Sequence, residues 1–155
     1  MGHQDHGRVL VSTMTGSCQC ARVRNSAEVL SNDAYLCHCR MCQRATGSVS
    51  IAFVNLPKAA VIWSTEPDYY ASSQIAQRPF CAACGTSLGF AYPDSDKMDL
   101  TVASFDDPSR FVPTAHFGAE SLHEAWIDTH DLPRQRADRY DKLVARWRKA
   151  GLDAF

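Results

Sequence analysis

Between Val9 and Ser104 apolar residues come in short runs that alternate with polar ones, and turn-forming residues interrupt them at short intervals. Val, Ile, Thr, Phe and Tyr dominate the runs, the composition of strands. The pattern predicts strands at Val9–Met14, Ala21–Arg24, Ser48–Asn55, Ala60–Trp63, Tyr69–Ser72, Ile75–Phe80, Ser87–Tyr92 and Met98–Ser104. Gly16, Asn32–Asp33, Gly47, Pro57, Pro67, Gly85 and Pro93–Asp94 separate them. Many short strands with frequent turns point to a mainly antiparallel β domain. The period changes only near the C-terminus. Tyr140, Leu143, Val144 and Trp147 fall at i, i+3, i+4 and i+7, one face of a helix. Asp138 is placed to cap its start and Gly151 to close its end. Arg146, Arg148 and Lys149 sit where cations suit the helix dipole.

The chain has 155 residues, the size of one domain, with no internal repeat and no linker long enough to divide it. With 45% hydrophobic and 21% charged residues it is an ordinary globular chain rather than a disordered one. The formal net charge of −1 gives no drive toward nucleic acid or an anionic membrane. No apolar run approaches a membrane span, and the polar start lacks the apolar stretch of a signal peptide. Position 6 is His6, so the myristoylation pattern fails. The expectation is a soluble cytoplasmic protein that binds neither nucleic acid nor membrane; a homo-oligomer is left open. The segment from Arg134 to Lys149 holds seven of the 16 basic residues. Asp138 and Asp141 interleave with them, so the segment reads as a solvated helix face.

Cysteine changes the picture. Seven thiols is an odd number that cannot pair completely, and a reducing cytosol keeps thiols free. They fall in three groups: Cys18 and Cys20; Cys37, Cys39 and Cys42; Cys81 and Cys84. Cys81-Ala82-Ala83-Cys84-Gly85 has the form of a zinc knuckle, in which two intervening residues let a tight turn aim both sulfurs at one ion. Cys18 and Cys20, one residue apart in extended chain, share a face. These four thiolates suffice for a closed tetrahedral site, which can contribute on the order of 10–16 kcal/mol. The remaining three cysteines offer either a catalytic zinc with one open position, a second closed site completed by His38, His116, His123 or His130, or unmetallated buried thiols.

The order Gly-x-Cys-x-Cys, Cys-His-Cys-x-x-Cys, Phe-Cys-x-x-Cys-Gly resembles the glutathione-dependent formaldehyde-activating (GFA) enzyme family. Arg44-Ala45-Thr46-Gly47-Ser48, Trp63 before Tyr69-Tyr70, Trp126 and Leu132-Pro133 extend the likeness, which covers roughly residues 9–135. Ala21 departs from it, since the family often has Gly there. The resemblance implies a mainly β, Mss4-like fold of small antiparallel sheets around zinc, closing with a C-terminal helix. It implies a flexible segment 1–8, a GFA-like zinc domain 9–135 and a helical extension 136–155. It implies two zinc ions per chain, a structural one on Cys18, Cys20, Cys81 and Cys84 and a catalytic one on Cys37, Cys39 and Cys42. The implied activity is that of a carbon–sulfur lyase that adds a small thiol, glutathione or similar, to formaldehyde or another small carbonyl.

The chemistry suits the residues. A free thiol is mostly protonated at neutral pH and loses its proton on binding zinc. Seven thiolates and two dications lower the formal charge from −1 to −4, so nearby cations matter. Arg40 and Arg44 flank the second group and are candidates to meet a substrate carboxylate. His38, between two ligands in extended chain, points away from the metal and is a packing residue or proton shuttle. His116, His123 and His130 read as structural or surface residues, and Trp63 and Tyr70 as core. Gln43 and Thr46 are placed to bond to ligand sulfurs. The competing reading is a non-catalytic binding module stabilised by two structural zinc ions.

Overall fold

The computed structural model describes residues 11–152, so the expected flexible segment 1–8 and the expected strand start at Val9 lie outside the described residues. The chain divides into two compact units, one reaching to Leu122 and the other starting at His123. Among the described residues no helix is long and apolar enough to cross a membrane.

The first unit holds ten strands in two sheets. The smaller sheet runs β1 (Ser12–Ser17), β2 (Arg24–Val29), β5 (Val61–Trp63), all antiparallel. Its alternation is plain in β2, where Asn25, Ala27 and Val29 are buried and their neighbours are not. The larger sheet has seven strands in the order β10 (Val112–Phe117), β3 (Asp33–Cys37), β4 (Ile51–Pro57), β9 (Lys97–Thr101), β8 (Gly89–Ala91), β7 (Gln77–Phe80), β6 (Asp68–Ala71). All its pairings are antiparallel except β10 with β3, which is parallel.

The main core draws on both sheets. Met14, Ala27, Val29 and Val61 of the smaller sheet cluster with Ala34, Val54, Leu56, Met98 and Leu100 of the larger, and Phe105 and Phe111 join them. Two satellite clusters are built around sulfur. One is Cys18, Val23, Cys81 and Leu88; the other is Cys37, Cys42 and Phe53. Trp63 packs against both the main core and the first of these, as a core residue should. Tyr70 does not: it is 62% exposed on the edge strand β6, where no facing layer covers it.

The expectation of a mainly β chain closing in a helix holds, with three local corrections. In the run Ala21–Arg24 the first three residues are a bend, and the strand begins only at Arg24 as β2. β3 and β10 add strands in segments without the expected pattern. A short helix, α1 (Arg40–Thr46), lies within the second cysteine group, and Gly47 in the left-handed region (φ +73°) ends it.

The second unit carries short 3-10 turns and the helix α2 (Asp141–Lys149). Leu143, Val144 and Trp147 are its half-buried face. Asp138 does not cap it. That carboxylate lies in the preceding turn and pairs with Arg136 (2.6 Å), while Tyr140 stands at the N-cap without a side-chain bond.

Candidate metal centres

Two groups of sulfurs meet closely enough to share one ion each: Cys18, Cys20, Cys81 and Cys84, and separately Cys37, Cys39 and Cys42. Within each group the sulfurs lie within 4.8 Å of one another.

The first group joins two turns. Cys18 follows β1 and opens a turn in which its Sγ accepts the Val23 N–H (3.3 Å) and its carbonyl accepts the Ala21 N–H. The turn forces Ala21 to φ +63°, the one positive φ outside glycine among the described residues. Cys81 and Cys84 follow β7 in a turn closed by Gly85 N–H to Cys81 O (2.7 Å). Gln19 N–H donates to Thr86 Oγ1 (3.0 Å) and locks the two turns together. The Sγ separations are 3.6 Å for Cys18–Cys20 and 3.8 Å for Cys20–Cys81. An ion held tetrahedrally by thiolates at about 2.3 Å needs sulfurs about 3.8 Å apart, so the donor set fits. Arg22 Nε donates to Cys81 Sγ (3.4 Å) and also pairs with Asp68. The Arg22 bond lowers the Cys81 thiol, and the Thr86 hydroxyl beside Cys84 holds that thiol near about 5. At Cys20 the Arg22 backbone N–H pulls downward. The thiols of Cys18, Cys84 and Cys81, together with desolvation, overcome it and raise Cys20 to about 11.

The second group is built on a strand end and a helix start. Cys37 is the last residue of β3, Cys39 is the N-cap of α1, and Cys42 lies in the first turn. Cys39 Sγ accepts the Cys42 N–H (3.3 Å), so one sulfur satisfies a helix-end donor. Thr46 Oγ1 donates to Cys42 O and Gln43 Nε2 donates to Val49 O and Ser121 O. Both side chains brace the segment rather than bond to sulfur as expected, because α1 turns them toward its own loop. The hydrogen bond from Cys37, aided by Arg78, lowers Cys42 to about 5, while the same bond and burial push Cys37 up.

All three residues of this group line a cavity of about 530 Å³, within the ~300–1,000 Å³ span of small-molecule sites. A second hollow of about 440 Å³ touches the first group only through Cys18. The first cavity brings together residues far apart in sequence. Arg78 of β7 donates from Nη2 to Cys42 Sγ (3.4 Å) and from Nε to Ser72 Oγ (2.9 Å). Asp99 of β9 accepts from Asn55 Nδ2 (3.0 Å), and burial raises its carboxyl. Burial also raises the Tyr35 hydroxyl.

Histidine takes an unexpected place here. His38 is buried, its N–H tied to Phe117 O, and its Nε2 lies 2.9 Å from His116 Nδ1. His116 lines the cavity, which its place in β10 did not reveal. Neither joins the sulfur group among the described residues, and His130 pairs with Asp128 and Asp131 in the second unit. Arg40 and Arg44 do not line the cavity; Arg40 is bonded to Gln43 Oε1. Helix α1 turns both to its outer side, and the cavity's cation is Arg78. The sequence held a partial signal for Asp99, a charge between the apolar Met98 and Leu100, and little for Arg78, which follows the polar Gln77.

Residues 13–121 match the model of the family described as glutathione-dependent formaldehyde-activating enzyme. An uncharacterized lyase of Schizosaccharomyces pombe is 36% identical over 77 residues, which make up 50% of this chain and 56% of that relative. The match thus spans little more than half the length of the relative. A Rhodobacter sphaeroides protein of known crystal structure has a similar fold, with a TM-score of 0.53 and 20% identity over 66% of this chain and 99% of that one.

Proposed function

Because the chain belongs to the glutathione-dependent formaldehyde-activating enzyme family, we propose that it is a zinc-dependent carbon–sulfur lyase that joins or parts a small thiol and formaldehyde or a similar carbonyl. Cys18, Cys20, Cys81 and Cys84 hold a structural zinc, and Cys37, Cys39 and Cys42 hold the zinc of the reaction site. Sets of thiolates alone suit zinc among the common divalent ions. The observation that carries the reading is that all three cysteines of the smaller group line a cavity, while the four-sulfur group can close on itself. The name of the fission-yeast relative, a lyase, supports the same reaction class. Seven cysteines without a disulfide among the described residues support a reducing compartment, and the cytoplasm is the compartment of this reading.

The net reaction is redox-neutral: the thiol sulfur bonds to the carbonyl carbon, and the thiol proton ends on the carbonyl oxygen. Zinc bound at the three sulfurs supplies the charge that draws the proton from a thiol. Arg78, against Cys42 Sγ, offsets the net negative charge of three thiolates and one dication. Asp99, its carboxyl raised by burial and braced by Asn55, is placed in the cavity to hold the mobile proton. Phe53 and Phe90 contribute apolar wall to the cavity.

Metal analysis tests the division directly. About two zinc per chain are expected. Cys39→Ser is expected to lose one and remain folded, whereas Cys81→Ser is expected to unfold. If Cys39→Ser unfolds too, the second metal is structural and the binding-module reading takes over. Formaldehyde and glutathione are then mixed with the protein and adduct formation is followed above the spontaneous rate. No excess rate removes this pair of substrates.

A further inference from the structure

The lining of the cavity says more about its ligand than the sulfurs do. The rings of Tyr35, Phe53, Phe90 and Phe117, with Met41 and Ile75, are among its lining residues. Arg78 is the one Lys or Arg and Asp99 the one carboxylate among its lining residues, beside His116 and the three cysteines. A peptide thiol such as glutathione carries two carboxylates and an ammonium group. Arg78 can pair with one of the two carboxylates, no second Lys or Arg lines the cavity to meet the other, and Asp99 repels either one when ionised.

Arg78 is built as an anchor. It is 4% exposed and fixed on three sides: Nε on Ser72 Oγ, Nη2 on Cys42 Sγ, and the guanidinium 4.9 Å from the centre of the Phe90 ring. Its remaining nitrogen, Nη1, is buried and has no acceptor in the protein. A buried charged donor left unmatched is costly, and a ligand oxygen at that position recovers the cost. Because the sister nitrogen already touches Cys42 Sγ, that oxygen lies close to the three-cysteine group.

Resting on the carbon–sulfur reading above, we infer that the cavity selects a small thiol with one apolar, preferably aromatic, body and a single carboxylate held by Arg78 Nη1, in preference to glutathione. The thiol reaches the three-cysteine metal, the carboxylate meets the guanidinium, and the ring lies on the aromatic wall. Arg78 is then the residue that sets specificity for the thiol.

Calorimetry on the zinc-loaded protein tests this without turnover. The probes are 2-mercapto-2-phenylacetate, phenylmethanethiol and glutathione. The first is expected to bind at least tenfold tighter than either of the others. In Arg78→Met its advantage over phenylmethanethiol is expected to vanish. Arg78→Lys, which keeps the charge near Cys42, is expected to retain part of it, and zinc content is measured in both variants. The comparison in the unaltered protein stands even if a variant loses metal. Equal or tighter binding of glutathione overturns the inference and leaves the carbon–sulfur reading intact. An aryl carboxylate advantage that survives in Arg78→Met overturns the role of Arg78. Failure of all three thiols to bind a protein holding both zinc ions overturns the carbon–sulfur reading, and this inference with it.

Discussion

Ala21 carries the sharpest local conflict in the molecule. A Cβ in the left-handed region clashes with the backbone, at a cost of roughly 1–2 kcal/mol. Ala21 accepts it (φ +63°) because the turn from Cys18 to Val23 has no other way to bring Cys20 back toward Cys81. Glycine at this position relieves the clash but loosens the unfolded chain by about 0.4–1 kcal/mol. Ala21→Gly is therefore expected to stabilise the protein by about 0.5–1 kcal/mol, read as a higher melting temperature with zinc content unchanged. A lower melting temperature refutes the strain. Cys42 offers a second test at this scale. In protein stripped of metal, its thiol is expected to become a thiolate as pH rises through about 5, far below the ordinary value of 9.0. Iodoacetamide labelling read by peptide mass then shows Cys42 modified at pH 6 while Cys37, pushed the other way, is not. The bond from Cys37 contributes most, so Cys37→Ala is expected to raise the midpoint more than Arg78→Met. A Cys42 midpoint near 9 in the unaltered protein removes the effect.

At the scale of elements, the approach of β10 to the second cysteine group is the critical contact. Gly118 follows β10 at φ +65°, and a Cβ there would lie 2.7 Å from Cys39 N and 3.0 Å from its Cβ. Gly118→Ala pushes directly on the backbone of a ligand. It is expected to lose the metal of the three-cysteine group while keeping the other, with far-ultraviolet circular dichroism unchanged. Retention of two metals shows that Cys39 yields easily. The same contact shows why part of the fold escaped the sequence. The β1–β2 and β6–β7 ladders rest on local antiparallel pairing, and apolar runs mark β4 and β9. β10 pairs in parallel with a strand from the far end of the unit, and all six of its residues are exposed. It therefore shows no alternation to read. α1 has seven residues, too few for a helical period to emerge around three cysteines. The cysteines themselves were legible because ligand spacing is local. The cavity was not, since Met41, Arg78, Asp99 and His116 come from four separate elements and meet only in the fold.

At the scale of the molecule, the metal groups organise the first unit. Each sits in its own small apolar cluster beside the main core, and the four-cysteine group ties together segments distant in sequence. Cys18 and Cys20 in the early part of the unit meet Cys81 and Cys84 about sixty residues on, so an ion bound there would cross-link a long chain closure. Everything described for the two groups and the cavity lies at or before Leu122, where the first unit ends and one residue after the family match stops. From this we propose that the zinc domain reaches Leu122 rather than residue 135, and that the helical segment from His123 is an addition to it. A chain ending at Leu122 is expected to bind two zinc ions and to unfold in one cooperative transition. Its cavity is expected to bind 2-mercapto-2-phenylacetate within about threefold of the affinity of the full chain, a difference under ~1 kcal/mol. Exposed pairs such as Arg136–Asp138 and Asp128–His130–Asp131 in the removed unit contribute little to stability on their own. If the shortened chain loses a metal or melts without cooperativity, the segment after Leu122 belongs to the folding unit, and the domain boundary moves toward the C-terminus.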